Sequence, residues 1–151
     1  MDEDKYDMSI VKYAVLKDSK WEIEQVAPIG QFTQLAIDGN DKPHILYVIE
    51  PEEKTIHAYK ENNKWIHKEI DPSAGNRRDI DISIDRKTNT LHAIYHDTDA
   101  GLIKYYRHGG EGDELIETID SGLSTEGLGH KGIKLGVGPK NIPQVCLLYT
   151  S

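Results

Sequence analysis

Apolar and polar residues alternate with period two along most of the chain. Val11, Tyr13 and Val15 fall on one face of an extended segment, with Lys12 and Ala14 on the other. Alternation of this kind over four to eight residues predicts half-buried β-strands. The same pattern marks Trp21–Val26, Leu35–Asp38, Pro43–Val48, Thr55–Lys60, Lys64–Asp71, Ile82–Asp85, Leu91–Tyr95, Ile103–Tyr106, Glu114–Ile119 and Ile133–Val137. No eleven-residue window carries a helical stripe. The breaks are turn-formers: Lys17-Asp18-Ser19-Lys20, Glu61-Asn62-Asn63-Lys64 and His108-Gly109-Gly110-Glu111-Gly112-Asp113.

These segments repeat. Leu35-Ala36-Ile37-Asp38, a turn, and Pro43-His44-Ile45-Leu46-Tyr47 recur as Ile82-Ser83-Ile84-Asp85, a turn, and Leu91-His92-Ala93-Ile94-Tyr95. A third copy starts at Ile133-Lys134-Leu135-Gly136-Val137, turns at Gly138-Pro139-Lys140-Asn141 and resumes at Ile142-Pro143-Gln144-Val145. Val11-Lys12-Tyr13-Ala14 matches Ile56-His57-Ala58-Tyr59 and Ile103-Lys104-Tyr105-Tyr106, each followed by a turn and a further strand. The unit has four strands and about 45 to 50 residues, the size of a β-propeller blade. The fold expected is all-β, a propeller of four-stranded antiparallel blades. It holds about three blade equivalents in one segment: a half-blade at 6–28, blades at 33–71 and 79–120, and a half-blade at 133–145. A parallel β-helix and a β-sandwich are the lesser alternatives.

The Pro43-His44-Ile45-Leu46-Tyr47 string, the Ile10-Val11-Lys12-Tyr13-Ala14 string and the Trp21 and Trp65 strand starts resemble the repeats of bacterial propeller proteins whose overall shape is sialidase-like. The resemblance covers nearly all of residues 6–145. It implies a secreted or surface protein, and it implies fold more than activity, because one fold hosts many functions. The sialidase Ser-x-Asp-x-Gly-x-Thr-Trp box is missing, and Arg77, Arg78, Arg86 and Arg107 are the only arginines.

Three blade equivalents are too few for a ring, since propellers close with about four to eight blades. One expectation is a homodimer, two copies forming a six-bladed ring with the N-terminal strands of one completing the C-terminal half-blade of the other. The other is truncation, which is the preferred one. Residues 146–151, Cys-Leu-Leu-Tyr-Thr-Ser, can be read back as the codons tgt-ctc-tta-tac-aca-tct, a string that resembles the end of a transposase adapter. Native sequence is then expected to end near Val145, and Tyr6-Asp7 reads as the tail of a strand whose beginning is missing.

Composition narrows function by exclusion. The net charge of −8 and pI of about 5.3 argue against nucleic-acid binding. No apolar run reaches the roughly 20 residues of a membrane-spanning helix, and the opening Met-Asp-Glu-Asp-Lys is not a signal segment. A single cysteine, Cys146, rules out an internal disulfide framework and a cysteine-based zinc site. No cofactor or metal site is expected. Asp38 and Asp85 are read as turn residues rather than calcium ligands. His44 and His92, one per repeat, are read as bonding neighbouring blades. His92 and His96 lie about 13 Å apart on one strand, too far to share an ion, and His96, Asp97 and Asp99 are read as a solvated loop.

The candidate ligand-binding residues are Trp21, Trp65, Tyr59, Tyr105, Arg77 and Arg78. Repeated aromatics at blade edges can stack on sugar rings, and the same rings serve as packing between blades. Arg77 and Arg78, on the connection between the full blades, can grip a carboxylate or phosphate. No catalytic residue is assigned. The function expected is a non-catalytic recognition or scaffold module that binds carbohydrate or protein. The alternative is a fragment of a sialidase-like or other glycoside hydrolase.

Overall fold

The computed structural model describes residues 9–50, 52–72, 79–110, 114–121 and 132–147. Arg77 and Arg78, candidates from the sequence, and the last four residues lie outside them. The described residues form twelve strands and no helix: β1 Val11–Lys17, β2 Lys20–Ala27, β3 Gln31–Ile37, β4 Pro43–Ile49, β5 Lys54–Glu61, β6 Lys64–Ile70, β7 Ile80–Asp85, β8 Thr90–Asp97, β9 Leu102–His108, β10 Leu115–Ser121, β11 Ile133–Val137 and β12 Pro143–Leu147. All pairing is antiparallel and between sequence neighbours. It gives a hairpin β1-β2, a meander β3-β4-β5-β6, a second meander β7-β8-β9-β10, and a hairpin β11-β12. The sheets do not close into a ring.

Turn chemistry sets the hairpins. Asp18 and Ser19, and Asn62 and Asn63, are consecutive residues with positive φ. This is the two-residue turn whose twist suits antiparallel strands, and Asn and Asp tolerate it best. Gly109 and Gly110 open the corresponding turn of the second meander, also at positive φ.

The four sheets stack face to face in chain order. Val11, Val26 and Ala27 of the first hairpin pack on Ile45, Tyr47, Ile56 and Ala58 of the first meander. Leu46, Val48 and Ile70 on its opposite face pack on Ile80, Ile82, Leu91, Ala93, Tyr95 and Tyr106 of the second. Ile94, Ile103 and Tyr105, on the far face of that sheet, meet Ile133 with Leu135, Val145 and Leu147 of the last hairpin. Both meanders are therefore covered on both faces. The half-buried strand read for Leu91–Tyr95 is instead buried along its whole length, Thr90–Asp97. Two-sided burial removes the selection for a polar face.

Register corrects one repeat assignment. His44 pairs with Tyr59 while its counterpart His92 pairs with Arg107. His57 thus corresponds to Tyr105, and the alignment of Ile56 with Ile103 is off by one. A one-residue slip reverses the face of every side chain. Ile56 points to the first hairpin, whereas Ile103 points to the last. β12 continues through Cys146 and Leu147, which pair with Lys134 and Ile133.

Leu46 is fully buried between the two meanders. Leu46→Ala is expected to cost about 2–5 kcal/mol, the usual range for a Leu-to-Ala truncation in a core. Urea unfolding followed by circular dichroism measures it.

Candidate functional site

The β3-β4, β7-β8 and β11-β12 turns lie at one end of the stack, and the repeated polar residues gather there. Each turn has one residue in the left-handed region, Asp41 (φ 61°), Asn89 (φ 57°) and Asn141 (φ 59°), three positions before His44, His92 and Gln144. The spacing fixes what these side chains reach. Asn89 Oδ1 accepts a bond from the Gly39 N–H of the preceding sheet at 2.8 Å. Asn141 Oδ1 accepts one from His92 Nε2 of the preceding sheet at 2.7 Å. The Asn89 and Asn141 turns each clasp the sheet behind them in this way. The clasp needs close approach, and a Cβ on Gly39 would collide with the Arg86 carbonyl.

Two parallel chains of donors feed this end. In the first meander, His57 Nε2 lies 3.0 Å from His44 Nδ1, and His44 Nε2 lies 3.1 Å from Asp38 Oδ2. The carboxylate can only accept, so His44 donates from Nε2 and accepts at Nδ1 from His57. In the second, the Tyr105 hydroxyl donates to His92 Nδ1 at 2.7 Å, and His92 Nε2 donates to Asn141. One chain ends within its own sheet and the other crosses to the next. Asp38 Oδ1 also accepts from the Asn40 and Lys42 N–H groups, and Asp85 Oδ1 from those of Lys87 and Thr88. The turn role read for both aspartates is what the structure shows, and Asp38 additionally orients a histidine.

Burial suppresses protonation here. It holds His57 down to about 2, with the charges of His44, His108 and Lys68 acting in the same direction. Burial also lowers His92, His96 and His108. For Asp38, burial pushes upward, but bonds from Lys42, His44 and Asn40 outweigh it and the net shift is downward. Desolvation thus disfavours the charged form of His57, His92, His96 and His108 alike.

The predicted ligand-binding aromatics are dispersed. Tyr105 is buried in its bond to His92, and Tyr59 stacks on His44 at 6.0 Å and tilts against His57 at 4.8 Å. Trp65 is half-buried, edge-on to Tyr13 at 5.7 Å, with Lys60 Nζ 5.1 Å from its ring. Trp21 is its counterpart one sheet back, yet is 67% exposed. The difference is a neighbour: the first hairpin covers Trp65, and nothing covers the equivalent face of that hairpin among the described residues.

At the opposite end, Asp71, Tyr95, Asp97 and Lys104 form a second polar group that the sequence did not bring together. Lys104 Nζ lies 3.0 Å from Asp71 and 3.4 Å from Asp97, and the Tyr95 hydroxyl donates to Asp71 at 2.6 Å. His96 and Asp97, read as a solvated loop, are buried at the end of β8. His96 and His92 face the same side at opposite ends of the strand, as the spacing implied. No group of three or more metal-ligating side chains occurs among the described residues.

A groove of about 760 Å³ lies between the first hairpin and the first meander. Tyr13, Leu16, Trp21, Leu35, Ile37 and Lys60 are among its walls. Leu35 is 54% exposed in it, whereas Ile82, the same position in the next sheet, is 9% exposed.

Acid should weaken the fold. His57 has a folded pKa near 2 against 6.5 when unfolded, so below pH 6.5 the unfolded state takes up the extra proton. His57 alone is expected to contribute a fall of about 1 kcal/mol per pH unit from pH 6.5 downward, and His57→Leu to remove that share of the slope in urea titrations at pH 7, 6 and 5. Asn141→Ala is expected to destabilise by about 1–3 kcal/mol, through the lost clasp and left-handed strain. Asn141→Gly relieves only the strain, so the difference between the variants in the same assay isolates the backbone contribution.

Comparison with protein-family profiles, curated proteins and solved structures finds no match to this chain.

Proposed function

We propose that the four stacked sheets are an arc of a β-propeller, and that the arc serves as a non-catalytic recognition and scaffold module whose ligand is protein rather than sugar. Supporting the arc are the inner strands β3, β7 and β11, which lie side by side, and the meander order within each full sheet. Stacked meanders with adjacent first strands are how propeller blades pack.

One observation carries the functional reading. The repeated aromatics that would make sugar-stacking sites are used in packing wherever a neighbouring sheet exists, as with Trp65 on Tyr13. The large exposed apolar side chains include Leu16, Trp21 and Ile23 on a single face of the first hairpin, with Leu35 beside it. A contiguous apolar face next to a strand edge suits a protein surface. Burial pushes His57 down to about 2, so its imidazole is unsuited to general acid–base work at neutral pH.

Glycan-array binding tests the reading. No glycan is expected to bind in a manner that depends on Trp21. Spots retained by the chain and lost with Trp21→Ala would convert it to a lectin, and turnover of a chromogenic glycoside would convert it to an enzyme.

A further inference from the structure

One turn sets side by side two residues that can react with each other. Asp38 and Gly39 are the only Asp-Gly pair in the 151-residue chain, and Asn-Gly does not occur. The structure requires both. Asp38 accepts the Asn40 and Lys42 N–H bonds that shape the β3-β4 turn, and it orients His44. Gly39 lies against the next sheet, where a Cβ would collide with the Arg86 carbonyl. The equivalent turns avoid the combination. Asp85 is followed by Arg86, and Gly138 replaces the aspartate in the last hairpin. With no side chain on the glycine, its nitrogen can approach the preceding Cγ. Attack there forms an N–C bond and closes a succinimide ring, while the amide proton and the carboxyl hydroxyl leave as water. Hydrolysis returns the water at either ring carbonyl. One opening restores aspartate. The other leaves isoaspartate, whose main chain runs through the former side chain and is longer by one carbon.

We propose that Asp38-Gly39 is a succinimide-forming modification site and that Asn89 of the second meander holds it closed. The Gly39 N–H donates to Asn89 Oδ1 at 2.8 Å, so the attacking nitrogen is engaged by the neighbouring sheet. The electrophile is held as well. Asp38 Oδ1 accepts from Asn40 at 2.9 Å and from Lys42 at 3.0 Å, and Oδ2 from His44 Nε2 at 3.1 Å. Those bonds favour the carboxylate, a poorer electrophile than the acid. Gly39 itself is exposed, so burial does not protect it. Guard and target belong to different sheets and stand 50 residues apart. The site opens when the two meanders part at the turn end. Their return does not reverse the change, because the lengthened turn no longer presents Gly39 to Asn89 or a carboxylate to His44. Isoaspartate at position 38 therefore accumulates as a record of sheet separation.

Incubation of the full chain near neutral pH tests this, with isoaspartate located by peptide mapping and counted with an isoaspartyl methyltransferase. Asn89→Gly removes the acceptor and keeps the left-handed backbone, φ 57° in the native turn. It is expected to speed isoaspartate formation at position 38 at least about tenfold, the scale of one lost hydrogen bond. Asn89→Asp retains an acceptor oxygen and is expected to keep the native rate. Asn141→Gly opens the other clasp, between the second meander and the last hairpin, and is expected to leave Asp38 unchanged. No acceleration in Asn89→Gly, or the same acceleration in Asn141→Gly, overturns the proposal. Should Asn89→Gly fold poorly by circular dichroism, hydrogen exchange of the native chain decides. The Gly39 amide, although at the surface, is expected to exchange at least about tenfold more slowly than in an unstructured peptide. Exchange at the peptide rate overturns the guard.

Discussion

An antiparallel sheet has two faces, and each large apolar side chain on either must be covered. That constraint organises this molecule. Its meanders satisfy it by stacking, so Ile45 and Tyr47 look one way while Leu46 and Val48 look the other. Each sheet is incomplete without the next. At about 25 cal/mol per Å² of apolar surface removed from water, this stacking is the main favourable contribution, and it stops where the sheets stop. Among the described residues, the outer face of the first hairpin, with Leu16, Trp21 and Ile23 exposed, leaves the same constraint unsatisfied.

Stacking alone leaves sliding undetermined, because apolar contact is non-directional. Directional contacts at the two ends of the stack supply the register. At the turn end, Asn89 and Asn141 reach back one sheet. At the other, the Asp71 carboxylate of the first meander takes bonds from Tyr95 and Lys104 of the second. Buried polar groups are costly unless partnered. A displaced sheet would strand His92 and Lys104 at once, so these groups penalise misalignment more than they add to stability. The same burial that makes these contacts specific disfavours the charged forms of His57 and His92.

Much of this was legible in the chain. Strands, turns and the four-strand repeat were visible because alternation and Asn, Asp and Gly placement are local signals. The turn role of Asp38 and Asp85 was visible for the same reason. The packing partners of Tyr59, Tyr105 and Trp65 were hidden because a ring that packs and a ring that binds look alike without a neighbour. Arg77 and Arg78 fall outside the described residues. The Asp71–Lys104 pairing was hidden by its separation of 33 residues.

The sequence by itself determined which segments are strands, where they turn, and that they come in repeats, since a period of two and a left-handed turn residue are properties of neighbours in the chain. Only the tertiary structure decided which face of each strand meets which sheet. The β5 slip shows why: moving the repeat by one residue leaves the apolar content of Ile56-His57-Ala58-Tyr59 unchanged while exchanging its two faces. When both faces are buried, polarity no longer marks the outside. Facing is then settled by cross-strand pairing and by the packing of the adjacent sheets.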